Sequence, residues 1–241
     1  MRNDRKNILV TTQLDGQQIQ YARVMGLEPL IEPALEFEFP EYWDRVLRTI
    51  NDHPKADWVF SSSNAVKALE RMRRSGLQVP PNTTVYAVGR KTADALADLG
   101  LEATVPRRQK ASGLAERIAE EGVDRVIWFR GNRARRELPE ILAERGVEVL
   151  EVEVYKTKVQ PVNLPDRHVD GILFYSPSAV EGFSKGEGFK GELPELFAIG
   201  PTTAQALREA ADREPVVAGR PDTRVLLKKV SDTLFDRKPA T

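Results

Sequence analysis

Two segments of this chain share one pattern at a fixed distance, and that pattern limits the folds open to it. Val85-Tyr86-Ala87-Val88-Gly89-Arg90-Lys91-Thr92-Ala93-Asp94-Ala95-Leu96 is answered by Leu196-Phe197-Ala198-Ile199-Gly200-Pro201-Thr202-Thr203-Ala204-Gln205-Ala206-Leu207. Gly89 and Gly200 stand 111 positions apart, as do Thr92 and Thr203. Each copy reads as a short buried strand, a glycine at a tight turn, and a threonine in the first turn of an Ala/Leu-rich helix. The unpaired N–H groups of such a helix start carry partial positive charge, so each copy is a ready anion site. Two of them imply a ligand with more than one acidic arm.

The echo extends along the chain. Phe60-Ser61-Ser62-Ser63-Asn64-Ala65-Val66 is matched, 114 positions later, by Phe174-Tyr175-Ser176-Pro177-Ser178-Ala179-Val180. Ile8-Leu9-Val10 answers Val126-Ile127-Trp128, and Gly26-Leu27-Glu28-Pro29 answers Gly146-Val147-Glu148-Val149. Such a period is too long for a solenoid and suits a duplicated domain. Strands alternate with helices throughout, which implies α/β architecture with parallel sheets covered on both faces. At 241 residues the chain accommodates two units of about 120, each with its own core. Pattern alone arranges those units one after the other.

Composition removes several kinds of chemistry. Lys+Arg and Asp+Glu are both 36, so no global field draws the protein to nucleic acid or an anionic membrane. Without cysteine there is no disulfide, thiolate nucleophile or Cys-ligated metal. The two histidines, His53 and His168, fall in polar connecting stretches, so no metal site and no cofactor is expected. No glycine-rich phosphate loop of the dinucleotide or triphosphate type is read in the chain. The polar start Met1-Arg2-Asn3-Asp4-Arg5-Lys6 leads into too few apolar residues for a signal peptide or membrane span, so a cytoplasmic protein is expected.

Among the individual elements, Ala111–Glu121 reads as a helix with Ser112 as its N-cap, and 135–145 as another. Two stretches are extended and alternating: Glu32-Pro33-Ala34-Leu35-Glu36-Phe37-Glu38-Phe39-Pro40, bounded by prolines, and the long run from Val147 to Lys158.

Five motifs in order resemble uroporphyrinogen-III synthase: the Phe60–Val66 and Phe174–Val180 runs, Val88-Gly89-Arg90-Lys91-Thr92-Ala93, Val154-Tyr155-Lys156-Thr157 and Ala198-Ile199-Gly200-Pro201-Thr202-Thr203-Ala204. The chain departs from that family at Thr12-Gln13, where many relatives carry Arg-Pro, and in its last loop, Gly219-Arg220-Pro221-Asp222-Thr223. The resemblance implies two flavodoxin-like parallel-sheet lobes joined by a two-stranded β-ladder. Residues 1–35 and 159–241 would form one lobe and 36–158 the other, with ladder strands near 33–39 and 152–158. It implies a carbon–oxygen lyase of haem biosynthesis that cyclises hydroxymethylbilane, a linear tetrapyrrole with eight carboxylates, inverting ring D and losing water. A monomer, with room for hand-over from the bilane-forming enzyme, is expected.

That substrate needs a fold-back geometry rather than a metal, and orientation of this kind can supply ~7–11 kcal/mol. The helix starts at Ser62, Ser63, Thr92, Ser176, Ser178, Thr202 and Thr203 are the expected carboxylate sites, each end contributing ~0.3–1 kcal/mol, or up to ~2 when partly buried. Arg130 leads the cluster Arg130-Gly131-Asn132-Arg133-Ala134-Arg135-Arg136 and is the expected charged contact; the other three arginines read as a solvated face. Tyr155 is the expected catalytic residue, its phenol donating to the departing hydroxyl. The competing readings are a non-catalytic two-lobed sensor for a polycarboxylate and, through the arginines, nucleic-acid binding, which the lack of interleaved aromatics disfavours.

Overall fold

The computed structural model describes residues 5–236; the polar start at residues 1–4, read above for a missing signal peptide, lies outside them. The chain begins with β1 (Lys6–Val10), α1 (Gly16–Val24) and β2 (Leu27–Ile31), then enters β3 (Leu35–Glu38). Next come α2 (Asp44–Asp52), β4 (Asp57–Phe60), α3 (Ser63–Arg74), β5 (Val85–Ala87), α4 (Arg90–Ala97) and α5 (Ala111–Glu120). They are followed by β6 (Arg125–Gly131), α6 (Glu137–Glu144) and the long β7 (Glu148–Val159). The last third holds β8 (Gly171–Phe174), α7 (Pro177–Lys185), β9 (Glu195–Ala198), α8 (Pro201–Ala211), β10 (Val216–Val217) and α9 (Thr223–Asp236).

Contacts divide the chain into two units. One holds the residues up to Glu36 and those from Lys158 onward; the other is continuous from Phe37 to Thr157. The crossings fall inside β3 and inside β7, which are neighbours in one sheet. In the discontinuous unit the strands run parallel in the order β2-β1-β8-β9-β10, the flavodoxin arrangement. In the continuous unit β5-β4-β6-β7 are parallel, with β3 along the outer edge of β7.

The duplication reappears as topology. Matching β6 to β1, β7 to β2, β4 to β8 and β5 to β9 superimposes the two strand orders, and the single bridge from Thr104 to Tyr86 stands where β10 stands. The continuous unit therefore carries the repeat in an order that the other unit achieves only by joining the end of the chain to its start.

Strand composition explains the layering. Trp58, Phe60, Ile127 and Phe129 point to one face of the continuous unit's sheet, and Val59, Val126 and Trp128 to the other, each set in its own buried cluster. Phe60 and Phe129 stack at 4.7 Å across neighbouring strands. The discontinuous unit is sandwiched the same way, with Ile172, Phe174 and Phe183 on one side and Leu173, Phe197 and Leu226 on the other.

Three expectations are corrected. Ser112 does not cap α5: the helix starts at Ala111 with Lys110 at the cap position and no side-chain cap bond. The preceding turn forces this, because the Arg108 carbonyl packs directly on Gly113, in the helix's first turn. Nor does α6 begin at Arg135; residues 131–135 form a turn closed by Ala134 N–H donating to Gly131 O (3.2 Å). Finally, Gly186-Glu187-Gly188-Phe189-Lys190-Gly191 does carry the dinucleotide-loop spacing that was read as absent. It lies between α7 and β9, after a helix rather than between strand and helix, so it cannot present a helix start to a phosphate.

Candidate functional site

In an open parallel sheet, ligands bind at the carboxyl ends of the strands where the winding reverses. In the continuous unit that point lies between β4 and β6: the chain leaves β4 toward β5 on one side and leaves β6 toward β7 on the other. A cavity of about 680 Å³ opens there, lined by Ser61, Ser62, Lys110, Trp128, Arg133, Arg135, Tyr155 and Thr157 among others.

Local sequence explains each placement. Ser62 ends the β4 turn in extended conformation and caps α3, its hydroxyl accepting from Asn64 N–H (3.1 Å); Ser63 is the first helical residue. One position earlier, Ser61 Oγ accepts a hydrogen bond from the Trp128 indole N–H at 3.0 Å, tying β4 to β6. A register shift at Arg130/Gly131 sets Gly131 opposite Tyr155. With no side chain at 131 the Tyr155 ring lies on the backbone; a Cβ there would meet Cε2 and Cζ at 2.5 Å. Phe37 and Phe39 flank the ring at 6.1 and 6.4 Å, and Asn132 N–H donates to the Tyr155 carbonyl (3.2 Å).

Arg130 is not in this cavity. Its Nε meets a Glu151 carboxylate oxygen at 2.7 Å, and Glu153 lies 3.7 Å from its other arm. It lines instead a separate 320 Å³ pocket beside Tyr42 and Trp43. The acidic alternation of β7 captures it, and the same Glu151 takes Arg136 at 2.7 Å. Arg133 and Arg135, read above as a solvated face, are the arginines that reach the cavity, together with Lys110.

The two echoed glycine turns differ. At α4 the Arg90 N–H donates to Gln109 Oε1 (3.1 Å), so the chain's own amide occupies that helix start, and Thr92 is buried in the first turn. At α8 Gly200 stands at the cap position with no side chain to bond the first amides; Thr202 is exposed there and Thr203 buried.

The corresponding reversal in the discontinuous unit lies between β1 and β8. Ser176 caps α7, accepting from Ala179 N–H (3.2 Å), and Ser178 follows in its first turn. Two other helix starts of this unit are closed by the protein's own carboxylates. Asp15 forms a capping box with Gln18 on α1, and Asp222 accepts from Val225 N–H (3.0 Å) on α9. Asp222 lies in the last loop, Gly219–Thr223, and its carboxylate already sits at that helix start. The Tyr175 hydroxyl is buried near Thr223 and Asp222, and burial holds its pKa well above the ordinary phenol value.

A larger cavity, about 830 Å³, lies at the amino ends of β4 to β6. Several of its polar groups are paired within the protein: Tyr86 donates to Glu121 (2.5 Å), Arg125 pairs with Glu148 (2.6 Å) and Asp57 accepts from Thr84 N–H (2.8 Å). Among the described residues no helix is long and apolar enough to cross a membrane, and no group of three His, Cys, Asp or Glu is placed to hold a metal ion.

Comparison with known proteins bears on the family and the fold. Residues 17–228 match the family described as uroporphyrinogen-III synthase HemD. A uroporphyrinogen-III synthase of Chlorobaculum parvum is 26% identical over 252 aligned positions, covering 95% of this chain and 99% of that one. Among solved structures, uroporphyrinogen-III synthetase of Helicobacter pylori shares the fold at a TM-score of 0.65 and 21% identity, over 97% of this chain and all of that one. A mutant uroporphyrinogen III synthase of Thermus thermophilus does so at 0.64 and 21%, over 96% and 100%.

Proposed function

The chain belongs to the uroporphyrinogen-III synthase family, and from that premise we propose how its residues carry the reaction. The protein is a lyase-class cyclase of tetrapyrrole biosynthesis. It closes hydroxymethylbilane to uroporphyrinogen III: the terminal C–O bond breaks, ring D is released from its bridging carbon and rejoined the other way round, so that one C–C bond breaks and two form, and the hydroxyl leaves as water with the α-proton of that ring. An electron-rich pyrrole expels the hydroxyl readily without a metal, so the enzyme's task is to hold the chain folded back and to speed that departure by donating to the leaving group.

The observation that carries this reading is the cavity at the β4/β6 reversal, where an aromatic floor, two serines and three cations meet Tyr155. Charge-assisted bonds from Lys110, Arg133 and Arg135 contribute ~1.5–3 kcal/mol each to a bound carboxylate. Tyr155 donates a proton, or a hydrogen bond, to the departing hydroxyl. The same reading has the enzyme acting as a monomer in the cytoplasm, on bilane handed over by the enzyme that makes it.

Incubation with freshly generated bilane, followed by separation of the isomeric products, tests it. Type III product in excess of spontaneous closure is expected. Type I alone would overturn the catalytic reading in favour of a polycarboxylate-binding protein. A sharper test of geometry is Gly131→Ala. The new methyl must push the Tyr155 ring aside by most of an ångström. A displacement of that size costs about 10²-fold in the rate of type III formation, and the overpacking ~1–3 kcal/mol of stability. Isomer-resolved rates and urea denaturation measure the two separately.

A further inference from the structure

Position 61 and position 128 face each other across the strand reversal, and the duplication shows that they have diverged. Their counterparts in the other unit are Tyr175 and Val10. Val10 has no polar atom in its side chain, and the Tyr175 hydroxyl is buried toward Thr223 and Asp222. In the continuous unit the pair is a hydrogen bond instead: Trp128, 2% exposed, donates its indole N–H to Ser61 Oγ.

The chemistry of the two groups makes that bond directional. An indole N–H only donates, so the serine oxygen must accept. The one hydroxyl proton of Ser61 then has to point elsewhere, and among the described residues it meets no acceptor. Ser61 is half-buried and lines the cavity with Lys110, Arg133 and Arg135. A hydroxyl whose lone pair is held from behind is a preset donor, and it loses little orientational freedom when an anion arrives.

We infer that Trp128 is a positioning residue that locks Ser61 as a hydrogen-bond donor to one carboxylate of the substrate, making the continuous unit the stronger carboxylate holder at this reversal. The inference rests on the function proposed above and gives a role to two residues that line that site without one. The bond acts in binding and takes no part in proton transfer to the departing hydroxyl, so its removal raises KM more than it lowers kcat.

Four variants test it: Trp128→Phe, which keeps an aromatic ring but deletes the donor, Ser61→Ala, the double variant, and Ser61→Thr, which retains a hydroxyl. Each is assayed for type III formation and titrated with uroporphyrin III, an unreactive octacarboxylate. Ser61→Ala is expected to raise KM and Kd by roughly ten-fold, the loss of one hydrogen bond to a charged group, and Trp128→Phe to raise them by part of that factor, since the serine hydroxyl remains but is no longer held. The double variant should be no weaker than Ser61→Ala alone, and Ser61→Thr should bind like the parent. Unchanged Kd in Trp128→Phe, losses that multiply in the double variant, or failure of Ser61→Thr to restore binding would each overturn the inference. Should Trp128→Phe not fold, Ser61→Ala against Ser61→Thr decides alone. A parent that makes no type III isomer yet shows the Kd pattern sinks the proposed reaction and keeps the pair; the reverse result sinks the pair only.

Discussion

Tyr155→Phe is expected to slow type III formation by roughly 10²–10⁴-fold, the range for a lost general acid, while unfolding stays within ~0.5 kcal/mol of the parent. The substitution isolates chemistry from packing. Phenylalanine still lies on the bare backbone of Gly131 and still meets Phe37 and Phe39 at their present separations. Only the O–H is removed. Spontaneous closure to the type I isomer continues at its own rate, so the product ratio reads the loss directly. A ratio within about three-fold of the parent's would leave the phenol as a brace for β7 and would move the burden of leaving-group assistance elsewhere.

The largest stability effect is expected from Gly186→Ala. The strand leaving β7 turns back at Val162, which is fully buried. It is pinned to the end of α7 from both sides: Val162 N–H donates to Gly182 O, and Glu187 N–H donates to Val162 O, both at 3.0 Å. A Cβ at position 186 would lie 2.6 Å from the Val162 carbonyl carbon and 2.7 Å from its nitrogen. Here backbone meets backbone, and no rotamer relieves it. The cost is about 3 kcal/mol or more, at the upper end for overpacking. It falls on the discontinuous unit, so urea denaturation should split into two steps, with the continuous unit melting at its parental midpoint. A single unshifted transition would show that the segment after β7 is free to move.

How far the sequence foretold this depends on what kind of interaction was asked of it. Strand–turn–helix units such as Phe60–Val66 and Leu196–Leu207 are local, set by a run of apolar residues, a glycine or serine, and helical periodicity. They stand where the pattern put them. Which strands pair is not local: β1 joins β8 across more than 160 positions, and periodicity carries no term for that. The exchange of segments between units came from the family resemblance and not from the pattern.

The site divides along the same line. Ser62 and Tyr155 are set by their own turn or strand and line one cavity. Arg130 was chosen for its closeness to a strand end, but Glu151 and Glu153 on the neighbouring strand claim it. Both glutamates were visible in the alternating run of β7, and a cross-strand register would have exposed the pairing. Gln109 at the start of α4 had no such signal, since it arrives from a loop nineteen positions away.

Because the repeat is split in one unit and intact in the other, synthesis of the protein has an order built into it. The pair β1 and β2 leaves the ribosome well before its inner neighbour β8, which is made only after all of Phe37–Thr157. Two strands and a helix cannot hold a sheet together alone, so this opening fragment waits, with one edge unpaired, while the middle of the chain completes a sheet of its own. The hazard during production is therefore early aggregation through β1, and slowing translation beyond Thr157 should lengthen the exposure rather than relieve it.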